Sequence, residues 1–258
     1  MRMAFSSGYL LYLYLPIMIL PLFSFNDSYY ISFPLQSFTM RWYDELAADP
    51  SILAALVNSL EIGLITALLS TALGVLSARP LARYRLRGQA SILGIIMLPM
   101  VIPELILAVS LLVVLNQASL GIGKWAVILG HMLICYPFAV AILMARFEGF
   151  AIELEEASLD LGATPWQTFW RIVFPLVMPG IVASFLLTFT ISFDEFLIAF
   201  FLSSDEPTLP VYIWGQLRFP KKLPSALALG TLIIVVSFLV AGFAEWLRRR
   251  HEASEGLP

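Results

Sequence analysis

The chain has 258 residues, 60% of them hydrophobic and only 13% charged, and its mean hydropathy is +0.88. So apolar a composition exceeds that of a water-soluble globule and excludes one. The net charge of −3 says little about nucleic-acid partners, because the basic residues sit in short turns between apolar runs.

Six apolar windows approach the ~20 residues that a ~30 Å hydrocarbon layer demands. They cover residues 8–25, 53–78, 91–115, 125–144, 178–202 and 225–246. No alternating pattern of barrel strands accompanies them, and backbone amides in lipid must be satisfied within their own segment. The expected fold is an all-α membrane protein with six transmembrane helices, forming a single domain over residues 1–258. With both termini in the cytoplasm, the inner loops and ends hold Arg2, Arg79, Arg83, Arg85, Arg87, Arg146, Arg171, Arg248, Arg249 and Arg250. The outer loops hold Arg41, Lys124, Arg218, Lys221 and Lys222, and this asymmetry sets the orientation.

The first window follows Arg2 as a secretory leader would, but it is long, has no small-x-small cleavage site and leads into further spans, so it reads as a retained helix. The next loop, residues 26–52, carries Trp42, Tyr43, Asp44, Glu45 and Asp49. That composition suits a short helix at the membrane surface, serving either as an aromatic anchor or as a face for a soluble partner. Residues 79–88 form a tight basic inner turn that topology and anionic lipid explain. Cys135 is the lone cysteine, so there is no disulfide framework.

The loop between windows four and five, residues 146–179, is acidic and helix-patterned. Leu154, Ala157, Ser158 and Leu161 fall on one helical stripe, with Glu153, Glu156 and Asp160 on another. Gly162 suits the left-handed turn that ends such a helix. Thr164, Pro165 and Gln167 then spell an N-cap, a first-turn proline and a capping box. The second helix bears an apolar stripe of Trp166, Phe169, Trp170 and Val173, and Pro175 and Pro179 are expected to close the segment with a kink. Two short helices at an angle make a knob suited to a groove on another protein.

Glu155-Glu156-Ala157-Ser158-Leu159-Asp160-Leu161-Gly162-Ala163, followed by Ile172-Val173-Phe174-Pro175 and Pro179, resembles the EAA loop of inner-membrane permease subunits of bacterial binding-protein-dependent ABC importers. Ser158 stands where the family has a second Ala, and Phe174 where it has Leu. The resemblance implies a type I importer permease fold. It also implies that this loop forms coupling helices docking into an ATPase subunit, with Glu155, Glu156, Ala157, Ser158, Asp160, Gly162, Ala163 and Pro175 on the matching positions. Further stretches, including Arg41-Trp42-Tyr43, Asn58-Ser59-Leu60 and Ser192-Phe193-Asp194-Glu195-Phe196, resemble the spermidine/putrescine branch. The chain departs from that branch at Pro220-Lys221-Lys222-Leu223-Pro224-Ser225, where an acidic turn is usual. The implied partners are a second permease chain, two ATPase subunits that carry ATP and Mg, and an extracytoplasmic substrate-binding protein, in a bacterial inner membrane.

Glu61, Glu104, Asp194 and Glu195 lie inside predicted spans with no Lys or Arg in the same span. A lone intramembrane charge costs at least ~2.5 kcal/mol on insertion scales, so such residues face a bundle interior, a wet cavity or a partner. An acidic set there attracts a cation such as putrescine or spermidine. Asp194 and Glu195 point about 100° apart on a helix, so only one of them faces a shared path. Trp214 adds possible cation-π surface. Glu61 has an alternative role in bonding across a helix interface to Asn58 or a neighbouring span, and Glu104 one in satisfying backbone groups freed by kinks at Pro99 and Pro103.

Enzyme signatures are missing from the chain: there is no zinc-protease or nucleophile-elbow motif, and His131 and His251 are far apart. His131 reads as a packed polar residue. Gly121-Ile122-Gly123-Lys124 lacks the first Gly and the final Ser or Thr of a phosphate loop, so no cofactor is expected in this chain. The expected function is that of a permease moving a small cationic solute, with a polyamine favoured over an opine or amino-acid derivative. A stand-alone cation- or proton-coupled transporter is the rival.

Overall fold

The computed structural model describes residues 2–84 and 86–254, the side chains of 2–5, 7, 240, 241 and 243–254 excepted. Arg2, Arg85, Arg248, Arg249 and Arg250, which contribute to the expected orientation, therefore lie outside the described side chains. The described residues form helices and no strand, apart from one isolated bridge between Asn26 and Phe38. The chain divides into two compact units, residues 1–53 with 212–258, and residues 54–211.

Among the described residues, four helical stretches are long and apolar enough to cross a membrane: Pro50–Arg83, Lys124–Glu148, Pro165–Asp194 and Pro220–Leu239. A fifth arises if Gln89–Val101 and Glu104–Gln117 count as one span bent by 99°. The first predicted window forms helix α1 (Arg2–Ser24), whose apolar part, Gly8–Ser24, is shorter than these. The helices found are thus four or five of the expected six.

In the first unit, α1 packs on α12 (Leu223–Ser254), and α12 also packs on the short α2 (Arg41–Ala48). The aromatic residue that suggested a surface anchor turns inward. Trp42 is fully buried and its indole N–H donates to the Asn26 carbonyl at 2.8 Å, while Arg41 stacks over the ring at 4.1 Å. Buried Trp needs such a partner for its N–H, and the loop supplies one.

Asp49 accepts from the Ser51 amide at 3.0 Å and from the Tyr212 hydroxyl at 2.9 Å. Burial works to raise the Asp49 pKa, but the bonds from Ser51 and Tyr212 and the charge of Lys222 together hold it below 3.8. Tyr212 is pushed up to about 12 by burial and by the carboxylate beside it. A lowered folded pKa contributes stability above the unfolded value, and that stability is lost as pH falls through the folded one. The melting-temperature advantage of the wild type over Tyr212→Phe is therefore expected to hold at neutral pH and to shrink below pH 3.8. Thermal melts at stepped pH check this.

The second unit is built on α3 (Pro50–Arg83), α6 (Lys124–Glu148) and the segment ending in α9 (Phe174–Asp194). Small residues and hydroxyls join them, as expected where lipid gives no hydrophobic drive between helices. Thr71 Oγ1 and Ser184 Oγ share a 3.4 Å contact, Ser77 Oγ and Tyr136 Oη a 2.6 Å bond, and Arg146 donates to the Leu176 carbonyl at 2.6 and 3.1 Å. One apolar core gathers Ile62, Ala108, Val127, Ile198 and Leu202; another gathers Ala78, Leu143, Phe147, Val173 and Val177.

Helix α6 meets the first core through Gly130, where an added Cβ would lie 2.5 Å from Ile198 Cγ2 and 3.1 Å from Leu202 Cδ1. Gly130→Ala is expected to cost ~1–3 kcal/mol by overpacking. A denaturation series in detergent measures it.

Two predicted spans are interrupted. The window 91–115 splits into α4 (Gln89–Val101) and α5 (Glu104–Gln117), because Pro103 pushes Ile102 out of helical geometry to ψ 129°. The window 178–202 ends as α9 at Asp194; Glu195 is extended, and α10 (Leu197–Leu202) restarts after Phe196. Conversely, Pro175 does not close the preceding segment. Helix runs without a gap from Pro165 to Asp194, through a π-helical stretch at Phe169–Val173 in which the Phe174 amide bonds the Phe169 carbonyl. That wider turn falls just ahead of Pro175, whose ring would crowd an α-helical carbonyl four residues back.

Candidate functional site: an acid–histidine cluster and a hinged helix pair

The two helix breaks belong to the same unit, and α5 packs on α10. They bring together Glu104, the first residue of α5, and Glu195, in the gap between α9 and α10, near enough for the two carboxyl groups to act on each other. Glu195 is buried. Its carboxylate accepts from the Ile198 amide at 3.0 Å and the Ala199 amide at 3.1 Å, amides that the break leaves without helical partners. It also lies 3.0 Å from His131 Nε2. His131 is itself fully buried and shares a 2.7 Å bond between Nδ1 and Ser192 Oγ. The lone His is thus a packed polar residue, and its partners hold Glu195 in place.

The acids therefore do not all stand without a cation. Glu61 has Lys124, whose ammonium donates to it at 2.7 Å and lies 3.5 Å from Glu206. Lys124 sits at the edge of the fourth window, which is why counting charges within each span misses it. Asn58 does not bond Glu61; it donates to the Glu206 carbonyl at 2.7 Å. Glu104 and Asp194 are exposed, and Asp194 makes no ion pair among the described residues. Trp214 belongs to the other unit, on α11 (Leu209–Leu217), and is 47% exposed.

At another edge of the unit, α7 (Glu153–Asp160) and α8 (Pro165–Thr168) form the expected pair. Gly162 takes φ +86° in the turn between them. Thr164 Oγ1 accepts from the Gln167 amide at 3.3 Å while Gln167 Oε1 accepts from the Thr164 amide at 3.0 Å, completing the capping box. Ser158 Oγ and Thr168 Oγ1 share a 2.9 Å bond across the joint. Glu156, Ala157, Asp160, Gly162 and Pro175 are exposed; Ser158 and Ala163 are half-buried. The outer side carries unusual apolar exposure, with Leu161 at 89% and Trp166 at 70%. Glu155 instead turns towards α3 and lies 3.2 Å from Arg79 and 3.5 Å from Arg83, a pairing the sequence did not signal.

A helical bundle with interrupted spans, charged side chains at the breaks and a protruding helix pair defines a multi-pass membrane protein of the solute-transport class. The chain belongs to the family described as binding-protein-dependent transport system inner membrane component, whose model matches residues 70–252. Among its relatives is the spermidine/putrescine transport system permease protein PotC of Shigella flexneri, 32% identical over 257 residues, covering 99% of this chain and 97% of that one. The PotC protein of Haemophilus influenzae is 33% identical over 253 residues, covering 97% of each. The putrescine transport system permease protein PotI of Escherichia coli is 33% identical over 249 residues, 93% of this chain and 88% of that one. A solved bacterial alginate ABC transporter, in complex with its pentasaccharide-bound periplasmic protein, has the same fold. Its TM-score is 0.74 at 21% identity, covering 97% of this chain and 93% of that one.

Proposed function

We propose that this chain is the permease subunit of an ATP-driven importer that moves putrescine or spermidine across the bacterial inner membrane by alternating access. The carrying observation is the similarity to spermidine/putrescine permeases over nearly the whole length of both chains. In this reading the chain acts as one permease domain with both termini in the cytoplasm. It pairs with a second permease chain and two ATPase subunits and receives solute from an extracytoplasmic binding protein. No cofactor resides in the chain; ATP and Mg belong to the ATPases.

The exposed face of α7 and α8, with Glu156, Ala157, Asp160, Gly162, Leu161 and Trp166, docks into the ATPase, and Pro175 lies on the rod leading away from it. Ser158 and Ala163 brace the joint from within. Glu104 and Asp194, carboxylates at the two helix breaks, offer attraction to an ammonium passing through a water-poor path. Glu195 holds the break open between them, while Glu61 flanks the route within the same unit. Supporting this division is the pairing already present: Lys124 pairs with Glu61, and the Ile198 and Ala199 amides take up the Glu195 carboxylate.

The test is purification from membranes followed by reconstitution in vesicles. Co-purification with an ATPase, and putrescine uptake that needs both ATP and the cognate binding protein, is the expected result. Uptake by the purified chain alone, without nucleotide, overturns the reading in favour of a stand-alone transporter.

A further inference from the structure

Helix α7 is joined covalently to α6 at its start and, through the Gly162 turn and α8, to the long rod that ends at Asp194. A further attachment is electrostatic. Arg79 and Arg83 stand four residues apart on the last turns of α3 and so project from one face. Between their guanidinium groups sits the Glu155 carboxylate, 13% exposed, 3.2 Å from Arg79 Nη2 and 3.5 Å from Arg83 Nε. Each arginine is further fixed by the chain flanking α7. Arg79 lies over the Phe169 ring at 5.1 Å; Arg83 lies over the Phe150 ring at 4.0 Å and donates to the Phe150 carbonyl at 3.1 Å. Two like charges held this close need the carboxylate between them, and at low exposure the interaction is much less screened than a surface pair.

The far end of α3 is tied as firmly. Asn58 Nδ2 donates to the Glu206 carbonyl and Ser59 Oγ accepts from the Leu209 amide, both at 2.7 Å. Between Ser59 and Arg79, α3 runs ~30 Å as one helix and so forms a strut joining the two attachments. A displacement of α7 that kept the clamp closed would carry α3 and the 206–209 loop with it.

We propose that Glu155 is a positioning residue that makes α3 a second output of the coupling segment. The Arg79–Glu155–Arg83 clamp transmits the movement of α7 to α3, in parallel with the covalent route through Gly162 into α9. This rests on the permease reading above. The experiment is simultaneous measurement of ATP hydrolysis and putrescine uptake by the reconstituted complex. Glu155→Gln, which keeps size but removes the charge, is expected to raise the ATP consumed per solute imported about tenfold, the scale of an ordinary coupling energy. A charge-permuted triple variant, Glu155→Arg with Arg79→Glu and Arg83→Glu, reverses every charge of the clamp while keeping one group between two of opposite sign, and is expected to return the ratio towards the wild-type value. An unchanged ratio in Glu155→Gln overturns the clamp, as does a permuted variant no better coupled than the single one. Loss of ATPase co-purification in Glu155→Gln also overturns it, because the side chain would then be a docking contact. Failure of the permease reading has its own signature, a wild-type chain that purifies without any ATPase.

Discussion

Gly162→Val is expected to abolish solute uptake while leaving membrane insertion and protein level intact. The reason is conformational and not steric. A Cβ at this position would meet no atom within 4 Å, so nothing collides. The backbone, however, sits at φ +86°, where a non-glycine residue costs ~1–3 kcal/mol and a β-branched one is least tolerated. The cheapest relief is to unwind the turn, which lets α7 run on and disturbs the Thr164 capping box and the Ser158–Thr168 bond that set the angle of the pair. Because ~1.4 kcal/mol is a tenfold change in population, even the middle of that range removes most of the docking-competent geometry. Gly162→Asn supplies the control, since Asn enters the left-handed region more readily, and should retain much of the uptake. Equal loss in both variants would point to a contact at Gly162 in place of backbone strain. Normal uptake by the Val variant would defeat the lever role of the joint.

This joint was legible in the sequence because its determinants are local. A capping box, a first-turn proline and a left-handed glycine each act within four residues, so reading the chain in order suffices. Pro175 misled for the complementary reason. A proline ends helices by its local geometry, but here the π turn just ahead of it lets the helix continue, and nothing in composition announces that register. The apolar windows were equally visible, yet the break at Glu195–Phe196 was not placed, because hydropathy runs on through it. The acids were found but their partners were not. Glu195 meets His131 across 64 residues and Glu155 meets Arg79 across 76, and helix periodicity carries no record of which face of one helix meets which face of another. Lys124 was discounted as an outer-loop charge, although it reaches Glu61.

The same cluster yields an expected result in which two neighbouring carboxylates respond in opposite directions. Glu195→Ala removes the acceptor for two otherwise orphaned amides, Ile198 and Ala199, and the polar neighbour 3.0 Å from a fully buried His131. Leaving a buried donor unsatisfied costs ~1–3 kcal/mol, so with two amides affected the variant should melt well below the wild type and accumulate poorly, with transport lost as a consequence. Glu195→Gln keeps an acceptor oxygen for the amides and should fall between the two. Glu104→Gln acts differently. Its carboxyl group is exposed and acts on that of Glu195, so neutralising it removes a like charge from that neighbour without emptying a buried site. Stability is expected to change by less than ~0.5 kcal/mol or to rise, as for ordinary surface changes. Putrescine uptake should nevertheless fall about tenfold if Glu104 draws the ammonium group into the path, a loss of ~1.4 kcal/mol of attraction. Melting curves and vesicle uptake measured on the same preparations separate the two roles. A stable Glu195→Ala variant would show that the break between α9 and α10 does not depend on its acid. A Glu104→Gln variant that transports normally would remove that residue from the solute path.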